Sequence, residues 1–231
     1  MTPDQTSMRT PSMVECRNCG AGAPLDAHFC PQCEHILPLP RQVDFYTFFG
    51  VPRRLALDRG ELEQRFRALS RKFHPDFFYN APPAERLASL ERSSYLNDAY
   101  RVLREPAERA EYLLSLEGLA PTKSDGGSVK VPPALLEEVF ALNEELDEIR
   151  ELREAGDTSP ELRARLAAAR TPIERKQEEH ERELEALSAQ WDAKPARATL
   201  EQLRERVMER GYLRNLLHTI DREVSSLSTD N

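Results

Sequence analysis

From residue 58 onward the apolar positions recur at spacings of three and four, and this periodicity predicts one helix after another. Leu62, Phe66, Leu69 and Phe73 form a single stripe, so a helix over 59–73 buries one face and turns Arg65, Arg67, Arg71 and Lys72 outward. Asp58 is a fitting N-cap, because its carboxylate accepts from the free N–H groups of the first turn. Upstream, residues 44–50 (DFYTFFG) make a short aromatic helix that Gly50 ends and Pro52 stops. A third helix over 84–104 is expected to bury Leu87, Leu90, Leu96, Ala99, Tyr100 and Leu103. A fourth has Pro106 in its first turn, reaches about residue 117 and ends at Gly118. Three longer helices follow, over about 133–154, 159–190 and 196–227, punctuated by Pro160, Pro172 and Pro195. Pro172 lies inside the second and is expected to kink or split it. Short loops between long helices predict an antiparallel three-helix bundle. No alternating strand pattern stands out beyond the first forty residues.

Composition agrees with an all-α protein. Charged residues make up 31% of the 231, glycine only 9 positions, and Leu, Glu and Arg dominate the helical stretches. Polar residues 1–15 read as disordered, Leu37-Pro38-Leu39-Pro40 as a stiff linker, and 121–130 (PTKSDGGSVK) as a flexible one. The expected division is therefore 1–15 disordered, 16–40 a cysteine module with its linker, 43–118 a first helical domain, 119–131 linker and 132–228 the bundle. A net charge of -8 argues against a phosphate backbone as the main partner. No apolar run approaches the ~20 residues that span a membrane, and the N-terminus lacks a leader pattern, so a cytoplasmic location is expected.

All four cysteines fall in two pairs, Cys16-x-x-Cys19 and Cys30-x-x-Cys33, separated by ten residues. Two such knuckles supply four thiolates to one tetrahedral ion, in a zinc-ribbon-like module. Gly20 suits the turn after the first pair and Pro31 stiffens the second. Zn²⁺ is favoured, since four Cys ligands leave no open position; iron or a small iron–sulfur cluster uses the same ligands, and a redox disulfide switch is a third reading. His28 and His35 stand beside the cysteines and are expected in a supporting or surface role. A nucleic-acid or redox-sensing role for this module is the alternative to a structural or docking one.

The tripeptide His74-Pro75-Asp76 ends the helix over 59–73, because a residue before proline is pushed out of the α region. Around it stand Phe-Tyr-x-x-Phe-Gly at 45–50, His-Pro-Asp itself, Asn-x-Ala-Tyr-x-x-Leu at 97–103 and Pro-x-x-Arg-Ala-x-Tyr-Leu-Leu at 106–114. This arrangement resembles the J-domain over about residues 44–117. The resemblance implies a helical hairpin that presents the tripeptide to the nucleotide-binding domain of a DnaK-type chaperone and accelerates ATP hydrolysis. His74, Pro75 and Asp76 are then the docking loop, with Arg67, Arg71 and Lys72 as a positive face steering toward an acidic surface. Pro75 limits the entropy lost on docking, and Asp76 suits a bidentate pair with an arginine. Phe77, Phe78 and Tyr79 either pack beneath the loop or touch a partner. No nucleophile or second carboxylate accompanies His74, and an enzyme is not expected.

The same J-domain residues, together with LLEEVFALNEELDEIRE at 135–151, resemble the HscB family of iron–sulfur cluster assembly. That resemblance implies an HscA- or DnaK-type chaperone and an IscU-type scaffold as partners. It places scaffold contacts on Leu136, Phe140, Glu144 and Glu148, with Tyr212 opposite. Glu137 and Ala141 depart from the family's usual residues there. An alternative buries Leu136 and Phe140 in the bundle, although Leu135, Leu142, Leu146 and Ile149 already supply a core stripe. A J-domain protein with another client, whose bundle is an oligomerisation or docking module, is the second functional reading.

Overall fold

A computed structural model describes residues 13–120, 136–156 and 159–229. The contacts divide the chain into two compact units, Met1–Glu105 and Pro106–Asn231.

The first unit opens with two short antiparallel strands, β1 (Met13–Glu15) and β2 (Gly22–Pro24). Residues 13–15 are thus ordered, a correction to the disorder read from their polar composition, while 1–12 lie outside the described residues. Helix α1 (Phe45–Phe49) is capped by the Asp44 carboxylate and closed by Gly50 in the left-handed region. Helix α2 (Arg59–Phe73) starts where expected, with the Asp58 carboxylate accepting from the Glu61 N–H at 2.6 Å. A 3₁₀ turn over Pro75–Phe78 leads to α3 (Pro83–Arg104), which packs along α2 as the second arm of a hairpin. Tyr46, Phe48, Leu62, Phe73, Leu96, Ala99 and Leu103 fill the space between the three helices.

Two expectations for this unit change. Leu87 and Leu90 are 51% and 54% exposed, because Ala88, Ser89 and Arg92 occupy the inward face of α3 instead. The segment around Leu37 is no free linker: Leu37 is fully buried, and the cysteine-bearing residues pack into the same unit as the hairpin.

The second unit holds α4 (Pro106–Leu116), α5 (Leu136–Glu154), α6 (Pro160–Ala193) and α7 (Arg197–Thr229). The sequence pattern groups α4 with the hairpin, yet it packs on α6 and α7. The long helices share a core of Val139, Leu142, Leu146, Ile149, Leu162, Leu166, Ile173, Leu213, Leu216 and Ile220. Of the expected kink or split at Pro172, the split does not occur: helix α6 continues through the proline. An interior proline costs ~3 kcal/mol, and burial of Leu166 and Ile173 on either side offsets it. The linker over 121–130 and Leu135 lie outside the described residues. Among the described residues, no helix is long and apolar enough to cross a membrane.

Candidate functional site

The tripeptide sits where α2 gives way to the 3₁₀ turn. His74 is extended, and its Nδ1 accepts the Asp76 N–H at 3.3 Å while lying 3.4 Å from the Asp76 carboxylate. That carboxylate is 86% exposed, so most of its acceptor capacity faces outward. Phe77 and Tyr79 are also largely exposed, and Phe78 is half-buried beneath them. Behind the turn, the Phe73 carbonyl receives two hydroxyls from α3, Ser89 at 2.7 Å and Ser93 at 2.9 Å. The sequence reading missed both serines, since nothing local ties them to Phe73.

Of the basic side chains on α2, Arg67, Arg71 and Lys72 are exposed, and Arg67 is tied to Glu63 at 2.5 Å. Arg65 is different: it donates to the carbonyls of Phe49 and Gly50 and to Glu61, which fixes α1 against α2.

The four cysteines converge. Their sulfurs all lie within 4.8 Å of one another, with Cys16 to Cys33 and Cys19 to Cys30 at 3.6 Å. A tetrahedral ion with bonds of about 2.3 Å sets its sulfurs about 3.8 Å apart, so the set fits one shared ion. The knuckles are alike: Gly20 N–H donates to the Cys16 carbonyl and Glu34 N–H to the Cys30 carbonyl. Each turn places the residue after its second cysteine in the left-handed region, Gly20 at φ 73° and Glu34 at φ 61°. Cys16 and Cys30 are buried and Cys19 is exposed. Hydrogen bonding from the His35 backbone, then from Asn18, pulls the Cys33 thiol down to about 6, whereas Cys19 beside it is pushed up to about 12, the Ala21 backbone opposing the shift and Cys33 driving it.

His35 stays at the surface, its Nδ1 2.8 Å from the Cys33 carbonyl oxygen and its Nε2 3.7 Å from Glu85. His28 turns inward and packs edge-on against Phe48 and Phe73 at 4.9 Å. Its Nδ1 accepts from Arg92 at 2.8 Å, and burial followed by the Arg92 charge pushes its pKa down to about 4, so the ring is neutral.

On α5, Leu136, Phe140, Glu144 and Glu148 form one exposed stripe, with Phe140 66% exposed. Val139, Leu142, Leu146 and Ile149 take the core, which decides the orientation that periodicity left open. Glu137 and Ala141 are exposed beside the stripe. Glu148 is engaged by Arg165 of α6 at 2.6 Å. Tyr212 is half-buried and packs against the bundle core rather than standing free.

Comparison with known proteins bears on all of these features. Residues 44–112 match the DnaJ domain. The solved structure of the human co-chaperone protein HscB aligns with a TM-score of 0.69 at 26% identity, over 90% of this chain and 98% of that one. Chaperone HscB from Vibrio cholerae aligns with a TM-score of 0.59 at 28% identity, over 80% of this chain and 99% of that one. With a DnaJ domain around its His-Pro-Asp turn, and likeness to HscB running through the helical second unit, the chain is a J-domain protein similar to the HscB co-chaperones and carries an N-terminal four-cysteine module.

Proposed function

We propose that the chain stimulates the ATPase of a DnaK/HscA-type chaperone and delivers to it an IscU-type scaffold for iron–sulfur cluster maturation. The observation that carries the reading is the exposed Asp76 carboxylate on a proline-restricted turn at the end of a helical hairpin. An arginine of the partner ATPase pairs with that carboxylate, and Arg67, Arg71 and Lys72 steer the encounter electrostatically. Pro75 and the held Phe73 carbonyl keep His74 and Asp76 in one arrangement before docking, so little entropy is lost.

The scaffold meets the second unit through α5. Leu136 and Phe140 supply an apolar half, and Glu144 and Glu148 an acidic half for a basic rim, with Tyr212 contributing from α7. The four cysteines hold Zn²⁺ in a structural role; iron is the alternative for the same thiolates. Metal analysis of the purified chain should return about one ion per chain.

The test is the steady-state ATPase rate of a DnaK-type chaperone with this chain, with an IscU-type scaffold, and with both. Synergy that His74→Gln abolishes is expected. Stimulation without synergy assigns the bundle a different client, and no stimulation at all overturns the docking role of the turn.

A further inference from the structure

Ser89, Arg92 and Ser93 lie three and four residues apart on α3 and therefore share a face. Between them they reach two places at once. The serines hold the carbonyl of Phe73, the residue immediately before His74. Arg92 reaches into the four-cysteine module: Nε donates to the Leu37 carbonyl at 2.8 Å, Nη1 to His28 at 2.8 Å and Nη2 to the Pro38 carbonyl at 3.1 Å. Its guanidinium also lies 5.8 Å from the Phe73 ring and 5.9 Å from the Phe48 ring.

Arg92 is only 1% exposed, and its hydrogen bonds run to the carbonyls of Ala27, Leu37 and Pro38 and to the His28 ring. A buried cation is tolerable only while its donors are satisfied. Its acceptors come from residues 27–38, the same stretch that carries Cys30 and Cys33. The backbone there is set by the second knuckle, where Cys30 N–H donates to His35 and Leu37 N–H to His28. If the thiolates release their ion, the knuckle loses what holds it closed. The acceptors then move, and Arg92 must follow water. Phe73 loses its cation and its His28 neighbour together.

We propose that Arg92 is a positioning residue that couples the four-cysteine module to the His-Pro-Asp turn, so that the turn is presented for docking only while the module holds its metal. The functional half of this rests on reading the turn as the chaperone-docking loop; the structural half does not. A turn that is competent only part of the time raises the concentration needed for half-maximal stimulation, in inverse proportion to its competent fraction, and leaves the maximum intact. Loss of His74 itself instead removes the maximum.

The experiment compares the full chain, metal-loaded, with the chelated chain and with metal-loaded Arg92→Gln. It reads amide hydrogen exchange at His74, Asp76 and Phe77, and the titration of a purified DnaK-type chaperone's ATPase. Both perturbations are expected to speed exchange at these amides and to raise the half-maximal concentration by about fivefold or more at unchanged maximum. Chelation of Arg92→Gln should add nothing, because the coupling is already cut. If Arg92→Gln keeps its ion and matches the wild type in exchange, the proposal is overturned. If exchange changes but the titration does not, the turn is not the docking element and the functional reading falls instead. Should Arg92→Gln fail to fold, Arg92→Lys, which keeps the charge but lacks the fork of donors, decides on the same two readings.

Discussion

Ser89 on α3 donates its hydroxyl to the Phe73 carbonyl at the end of α2, 2.7 Å away, and Ser93 donates to the same oxygen at 2.9 Å. The last carbonyls of a helix lack intrahelical donors, and here the Phe77 N–H, four residues beyond Phe73, donates to the His74 carbonyl instead. The serines satisfy a carbonyl that the tripeptide would otherwise strand. Either alone still serves it, so Ser89→Ala or Ser93→Ala should cost about 0.5–1.5 kcal/mol. The double variant leaves the oxygen unpaired and should cost about 1–3 kcal/mol more than the sum. Urea unfolding of the four chains in a double-mutant cycle checks this; simple additivity would show that the two hydroxyls do not share a task.

Neighbouring residues on α5 should separate stability from binding. Phe140 is 66% exposed, whereas Leu142 is buried in the bundle core. Phe140→Ser should leave the urea midpoint almost unchanged and weaken scaffold binding measured by calorimetry. Leu142→Ala removes packed methyl groups and should destabilise by about 2–5 kcal/mol while preserving the outer stripe. A large fall in stability from Phe140→Ser would place that ring in the core and sink the scaffold surface.

The parts legible in the sequence were those where one apolar stripe met an ordinary helix end. Asp58, Leu62, Phe73 and Gly50 behave as their chemistry requires. Helix α3 was misread over its first turns because its inward face carries Ser89 and Arg92, so a rule that puts apolar residues inside chose Leu87 and Leu90 instead. The convergence of the cysteines followed from spacing, but their anchorage did not. His28 and Arg92 lie 64 residues apart in the chain, beyond any periodicity. The face of α5 was undecidable until its partners α6 and α7 were in place, since both of its sides carry apolar residues.

Arg165 on α6 holds two carboxylates of α5, Glu145 at 2.7 Å and Glu148 at 2.6 Å. Its hydrogen bond keeps the Glu145 carboxyl below the usual carboxylate range. Glu148 is therefore already occupied when a basic partner arrives. Arg165→Gln should free it and tighten scaffold binding severalfold at low salt, with the gain vanishing as ionic strength rises. Affinities at two salt concentrations check this; unchanged affinity at both would remove Glu148 from the contact surface.

His180 lies buried between α6 and α7, 3.4 Å from Glu209, with Arg206 on α7 and Glu183 and Lys176 on α6 as its charged neighbours. Burial lowers its pKa below the ordinary 6.5, the Glu209 charge only partly opposing. The unfolded chain therefore takes up this proton at higher pH than the folded one. The stability that neutral His180 contributes is complete above about pH 6.5 and is lost as the pH falls toward the folded value, at no more than about 1.4 kcal/mol per pH unit for one proton. Other groups titrate in the same range, so the informative quantity is a difference. Wild type and His180→Gln should run parallel in unfolding free energy above pH 7 and diverge below 6.5, the wild type losing more. Parallel curves down to pH 5 would mean that His180 charges as readily in the folded bundle as in water, and that Glu209 fully offsets its burial.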